Sequence, residues 1–326
     1  MLEHGGQLAA AAKQYGIPLE NWLDLSTGIN PVGYPIPDIP ASTWQRLPQD
    51  DDGLKSAAAV YYGSAHILPA AGTQAILQVL PRLRAPCRVV MPAPTYAEHP
   101  KAWGSASHTV TRVAPENATQ EARNCDVLLL CNPNNPTGYR YSRNELLACH
   151  AELATRGGWL VVDEAFIDAT PEHSLTPHIG LPGLVILRSL GKFFGLAGAR
   201  VGFALAWPEL LARLEELLGP WPISGPARHV AQLALSDTIW QSQERLRLPI
   251  DARRLAALLA QHDLAPNGGT ALFQWVQTPH APELHERLVQ HSILSRLFDE
   301  PSSLRFGLPA AESDWGTLEN ALKMMN

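Results

Sequence analysis

The feature that most constrains this chain is a rhythm. From about Asp52 to Trp207, apolar runs of strand length alternate with amphipathic stretches of helix length. Leu54–Tyr62 and Thr73–Leu83 read as helices, Arg88–Met91 and Val127–Cys131 as strands. Asn144–Arg156 reads as a helix, with Ser142 at its N-cap and Glu145 three residues on as a capping box. Trp159–Val162, Leu184–Leu187 and Val201–Ala206 are three further strands. Runs such as Val127-Leu-Leu-Leu130 are apolar at every position and so need cover on both faces. Intervening helices supply that cover. The expectation is an α/β fold, a large domain built on a mainly parallel, doubly wound sheet.

The pattern changes at both ends. Residues 1–40 hold one alanine-rich helix, Gly6–Tyr15, and then a proline-rich stretch, which reads as an N-terminal arm forming part of a small domain. After Pro226 come helices at Arg228–Leu235 and Ile239–His262, strands at Ala271–Gln277 and Ser303–Gly307, and a helix at Pro282–His291 between the strands. That mixture predicts a small C-terminal α+β domain. The boundaries are therefore 1–40 for the arm, 41–222 for the large domain and 223–326 for the small one.

Composition narrows the function. Only 17% of the 326 residues are charged, against roughly 25% in an average soluble protein, and the formal net charge is −6. With no basic block, the chain lacks the footprint of a nucleic-acid binder. No apolar run approaches the roughly 18 residues of a membrane span. Met1–Gln7 has neither the basic start nor the apolar core of a signal peptide. Cys87, Cys125, Cys131 and Cys149 have no CxxC spacing and read as reduced residues of a cytoplasmic protein. His280, His285 and His291 do not share one helical face, so no metal site is expected.

Ligands of an open parallel sheet bind at the carboxyl ends of its strands. Here those ends carry Pro92-Ala-Pro-Thr-Tyr96, Asn132-Pro-Asn-Asn-Pro-Thr-Gly138, Asp163-Glu-Ala-Phe166 and Arg188-Ser-Leu-Gly-Lys192, with Arg200 further on. Ala71-Gly-Thr-Gln74 opens a helix, whose amides at Gly72 and Thr73 can cradle a phosphate. Ser189 and Arg200 can add a hydroxyl and a planar cation. A lysine among apolar neighbours is ordinarily a snorkelling surface residue. Lys192, beside Ser189, Gly191, Phe193 and Phe194, is instead poised for a depressed pKa and Schiff-base chemistry. Asp163 can pair with a ring nitrogen, and Tyr96 can stack on the ring. Phosphate cradle, lysine, carboxylate and aromatic together describe pyridoxal phosphate.

These motifs, in this order, resemble those of fold-type-I pyridoxal-phosphate enzymes of the histidinol-phosphate aminotransferase branch, over Asp24 to Gly307. The resemblance implies that Lys192 carries the cofactor as a Schiff base and moves protons, that Asp163 holds the pyridine nitrogen, and that Tyr96 stacks. It gives Asn135 to the ring O3′ and the substrate side, and Gly72, Thr73, Ser189 and Arg200 to the phosphate. Arg305 would grip the substrate carboxylate. It also implies a homodimer with sites at the subunit interface. Two positions depart from the pattern: Phe166 stands where relatives often carry a tyrosine, and Leu47 stands in the family's Tyr-Pro, whose tyrosine reaches the neighbouring subunit's cofactor phosphate. With His4-Gly-Gly6 and Asp24–Pro31, the chain is most similar to the threonine-phosphate decarboxylases of cobalamin biosynthesis. Arg296, Asn30 and His4 are then the candidates for the phosphate of a small phosphorylated amino acid. The alternative is a histidinol-phosphate-type aminotransferase, since the same cofactor breaks whichever bond stands perpendicular to its ring.

Overall fold

A computed structural model describes residues 4–325; the first three residues of Met1–Gln7 and residue 326 lie outside the described residues. The chain forms two compact units. The larger comprises Gly33–Asn135 and Tyr139–Gln243. Its seven strands are β1 (Ile67–Ala70), β2 (Arg88–Pro92), β3 (Thr109–Val113), β4 (Val127–Cys131), β5 (Trp159–Asp163), β6 (Leu184–Ser189) and β7 (Gly202–Leu205). They lie in the order β1-β7-β6-β5-β4-β2-β3, and β7 alone runs against the rest. Every residue of β4, β5 and β6 is buried, as strands covered on both faces must be.

The sequence misses β1 and β3, the two edge strands. Pro69 within β1 argues against a central strand and is tolerated at an edge, where a missing N–H breaks no ladder. β3 reads Thr-Val-Thr-Arg-Val and is nowhere fully buried, so it lacks the apolar signature of its neighbours. The helices begin where expected: α1 spans Leu54–Tyr62 and α2 starts at Thr73. α2 ends at Val79, however, and Leu80–Leu83 continues as a 3₁₀ turn, because Pro81 has no N–H to donate. α3 (Glu98–Ser105) follows β2, and α4 (Arg143–Ala154) opens with both reciprocal bonds of the Ser142–Glu145 capping box.

The smaller unit gathers the residues up to Val32, the excursion Pro136–Gly138, and Glu244 onward. Its sheet is antiparallel, built from β8 (Gly268–Thr270), β9 (Phe273–Gln277), β10 (Arg296–Phe298) and β11 (Ser303–Gly307) in the order β10-β11-β9-β8. Leu23–Asp24 pairs with Ile293–Leu294, and Ala11 and Trp22 pack with Val289 and Leu294, so the N-terminal segment belongs to this core. The division falls at Gln243/Glu244, inside the long helix Thr238–Ala260, and not at 222/223. Arg228 explains the difference. Its buried guanidinium pairs with Asp52 and donates to the Gln49 carbonyl at 3.0 Å, which keeps the helix Gly225–Ser236 in the larger unit. No described helix is long and apolar enough to cross a membrane.

Candidate active site

The carboxyl ends of β4, β5 and β6 open onto one pocket of about 130 Å³ in the larger unit. Register explains the convergence. Cys131 stands beside Asp163 and Asp163 beside Leu187, while the reversed β7 sets Gly202 beside both Ser189 and Ala70. Tyr96, Asn135, Asp163 and Lys192 line this pocket, and so do Thr73, Ser189 and Arg200.

Glycines make the anion cradle possible. Gly72 has φ +76°, a conformation costly for any residue with a Cβ, and a Cβ there would stand 2.8 Å from Arg200 Nη2. At Gly202 a Cβ would lie 2.4 Å from the Thr73 nitrogen, so only glycine lets β7 lie against the start of α2. Arg200 itself is left-handed, with φ 54°, and its Nη1 donates to the Ala197 carbonyl at 3.2 Å. Backbone amides, a hydroxyl and a guanidinium thus meet at one helix N-terminus, an arrangement suited to a phosphate dianion.

Asp163 has partners that the sequence did not reveal. His99, almost wholly buried on α3, donates from Nε2 to Asp163 Oδ2 at 2.8 Å, and the Ala165 amide donates to Oδ1 at 3.1 Å. The ligand atoms of His99, Cys131 and Asp163 lie within 4.8 Å of one another. Burial pushes the His99 imidazole down, but Cys131 and the Asp163 carboxylate outweigh it and hold the pKa at about 10. His99 therefore keeps its proton at neutral pH, with Nε2–H directed at Asp163 Oδ2. Tyr96 stacks edge-on to His99 at 5.8 Å and donates to Gln74 Oε1 at 3.2 Å. Burial first, then Asp163 and Glu98, raise the Tyr96 hydroxyl to about 12, so it stays neutral. A signal for His99 existed in its place three residues after Tyr96; for Cys131 it was the alignment of strand ends.

The asparagine-rich loop divides its labour. Asn132 exchanges two hydrogen bonds with the Tyr141 backbone, and Asn134 donates to the Pro94 carbonyl at 2.9 Å, which leaves Asn135 as the loop's asparagine in the pocket. Lys192 Nζ lies 5.5 Å from the centre of the Phe166 ring, which lines the pocket without the hydroxyl a tyrosine would bring.

The remaining candidates belong to the smaller unit. The Arg305 guanidinium is buried against the Phe273 ring at 5.2 Å and donates to the Ser26 carbonyl at 2.8 Å. Burial, with the charge of Arg296 second, pushes its pKa down to about 10. His4 and Arg296 share a pocket of about 300 Å³ with Ser26, His285 and Ser295. Asn30 is not in it: its amide donates to Glu244 Oε2 at 2.6 Å and its carbonyl oxygen accepts from Arg247 at 2.7 Å. Those bonds hold the chain before Val32 to the long helix.

Comparison with known proteins adds independent weight. A threonine-phosphate decarboxylase of Pseudomonas aeruginosa is 53% identical, over 99% of this chain and 97% of its own length. One from a Sinorhizobium species is 42% identical, over 99% and 98%. A solved histidinol-phosphate aminotransferase from Sinorhizobium meliloti, in complex with pyridoxal-5'-phosphate, superposes with a TM-score of 0.82. It covers 100% of this chain and 96% of its own at 22% identity, a likeness of fold. The family model described as aminotransferase class I and II matches residues 42–324, every strand of the pocket included, and the chain belongs to that family.

Proposed function

We propose that the pocket of the larger unit holds pyridoxal phosphate and that the chain is a decarboxylase of O-phospho-L-threonine, releasing carbon dioxide and an aminopropanol phosphate for cobalamin biosynthesis. One observation carries the cofactor reading: a lysine, a carboxylate backed by a buried imidazolium, and a glycine-dependent anion cradle line a single pocket. The substrate rests on two curated relatives that bear the decarboxylase name and match nearly the whole chain.

When bound, the cofactor supplies a ring that accepts electrons from a bond broken at the substrate Cα. The Thr73 amide, Ser189 and Arg200 would take its phosphate, and Gly72 leaves room for the guanidinium. Asp163, oriented by the His99 hydrogen bond, would hold the ring nitrogen. Tyr96 would cover the ring, and Asn135 would donate to its O3′. Lys192 would anchor the cofactor and return a proton to Cα. Arg305 is assigned to the substrate carboxylate, and a carboxylate beside it would offset the cost of its burial. Arg296 and His4 are assigned to the substrate phosphate. Asn30, engaged with Glu244 and Arg247, contributes by shaping the chain and not by touching phosphate.

The test is to incubate the purified chain with pyridoxal phosphate and O-phospho-L-threonine, with and without 2-oxoglutarate. Carbon dioxide that is independent of the keto acid and lost in Lys192→Ala is the expected result. Glutamate without carbon dioxide would replace the decarboxylase reading with an aminotransferase one.

A further inference from the structure

Neighbours along a strand face opposite sides of a sheet. Asp163 and Ser189 line the pocket; Arg188, one residue before Ser189, and Glu164, one residue after Asp163, do not, and both are buried. These two form an ion pair, with Arg188 Nη1 donating to Glu164 Oε2 at 3.0 Å. A single charged bond therefore ties the end of β5 to the end of β6, one residue away from the pocket residue of each strand.

The bond sits in a wider network. Arg188 Nη2 donates to Asp168 Oδ1 at 2.5 Å, and Tyr61 donates to the same oxygen at 2.9 Å. The guanidinium lies 4.6 Å over the Tyr62 ring. Glu164 also accepts from Ser174 Oγ at 2.5 Å and from the Leu175 amide at 2.8 Å. Stability alone does not call for such a cluster, since apolar replacements of a buried ion network are often neutral or better. A planar fork held at both prongs supplies geometry instead.

We propose that Arg188 is a positioning residue. By clamping Glu164 and Asp168 across the strand ends, it holds Asp163 and Ser189 at the separation at which one cofactor engages both. The proposal rests on the pyridoxal-phosphate reading above. A ligand gripped at two correctly spaced points gains far more than the sum of its halves, and that gain is what the clamp protects.

The experiment uses the full-length chain freed of cofactor, as wild type, Arg188→Met and Arg188→Lys. Affinity is measured for pyridoxal phosphate, which needs both grips, and for inorganic phosphate, which needs only the cradle. The expected result for Arg188→Met is a loss of about tenfold or more for pyridoxal phosphate with phosphate affinity kept within about twofold. Arg188→Lys, which keeps the charge and loses the fork, should show the same selective loss at smaller size, and carries the comparison if the Met variant does not fold. Parallel losses for both ligands would make Arg188 a support of the fold only, and unchanged pyridoxal-phosphate affinity would remove the clamp; either overturns the proposal. A wild type that does not bind pyridoxal phosphate removes the underlying reading instead, and the proposal with it.

Discussion

His99 and Asp163 form a buried pair whose cost is offset by mutual charge, and removing one partner strands the other. His99→Leu should lower stability by about 3–5 kcal/mol at pH 7, the usual cost of leaving a buried charge unpaired. The pH dependence has a definite sign. The His99 pKa is raised from 6.5 to about 10, so its contribution is fully present below about pH 6.5 and is lost as pH rises through about 10. The gap between wild type and variant, measured by denaturant unfolding across that range, should narrow upward; a gap that widened would mean the imidazole is not charged in the fold. Lys192, Asp163 and Asn135 were legible in the sequence because each sits at a fixed offset from a strand end. His99 was marked only by its place three residues after Tyr96, because no local pattern reports which strand its helix faces.

At the scale of elements, the cradle depends on how closely β7 can approach α2. Gly202→Ala places a methyl carbon against the Thr73 nitrogen, and backbone cannot swing aside as a side chain can. Overpacking of this kind costs about 1–3 kcal/mol, to be read from urea unfolding, and cofactor affinity should fall with it. Retained affinity at reduced stability would show that the cradle tolerates the shift. Secondary structure was readable wherever burial was two-sided or capping chemistry was explicit, as in β4, β5, β6 and α4. The edge strands β1 and β3 were not: Pro69 interrupts β1, and the exposure of β3 erases the apolar signature on which a strand reading relies.

At the scale of the whole molecule, the larger unit leaves Ile36, Trp44, Leu47 and Val60 each more than 60% exposed. The family resemblance implies a homodimer, and a partner subunit would be one way to cover these side chains. Trp44→Glu should therefore shift the protein toward its 35.5 kDa monomer on dilution, measured by light scattering; a wild type that is already monomeric would contradict this. Leu47 lies in the same stretch.

By itself the sequence determined the class of the fold, the order of the pocket-forming loops and the chemistry they carry, because periodicity and strand-end motifs are local properties. Tertiary structure decided the rest. The unit boundary moved into a helix because Arg228 reaches back to Asp52, 176 residues earlier. Asn30 is held by Glu244 and Arg247, and His99 and Arg188 take their places in the site's framework through Asp163 and Glu164. Each of these depends on a contact between residues far apart in the chain. Only the folded backbone sets such distances.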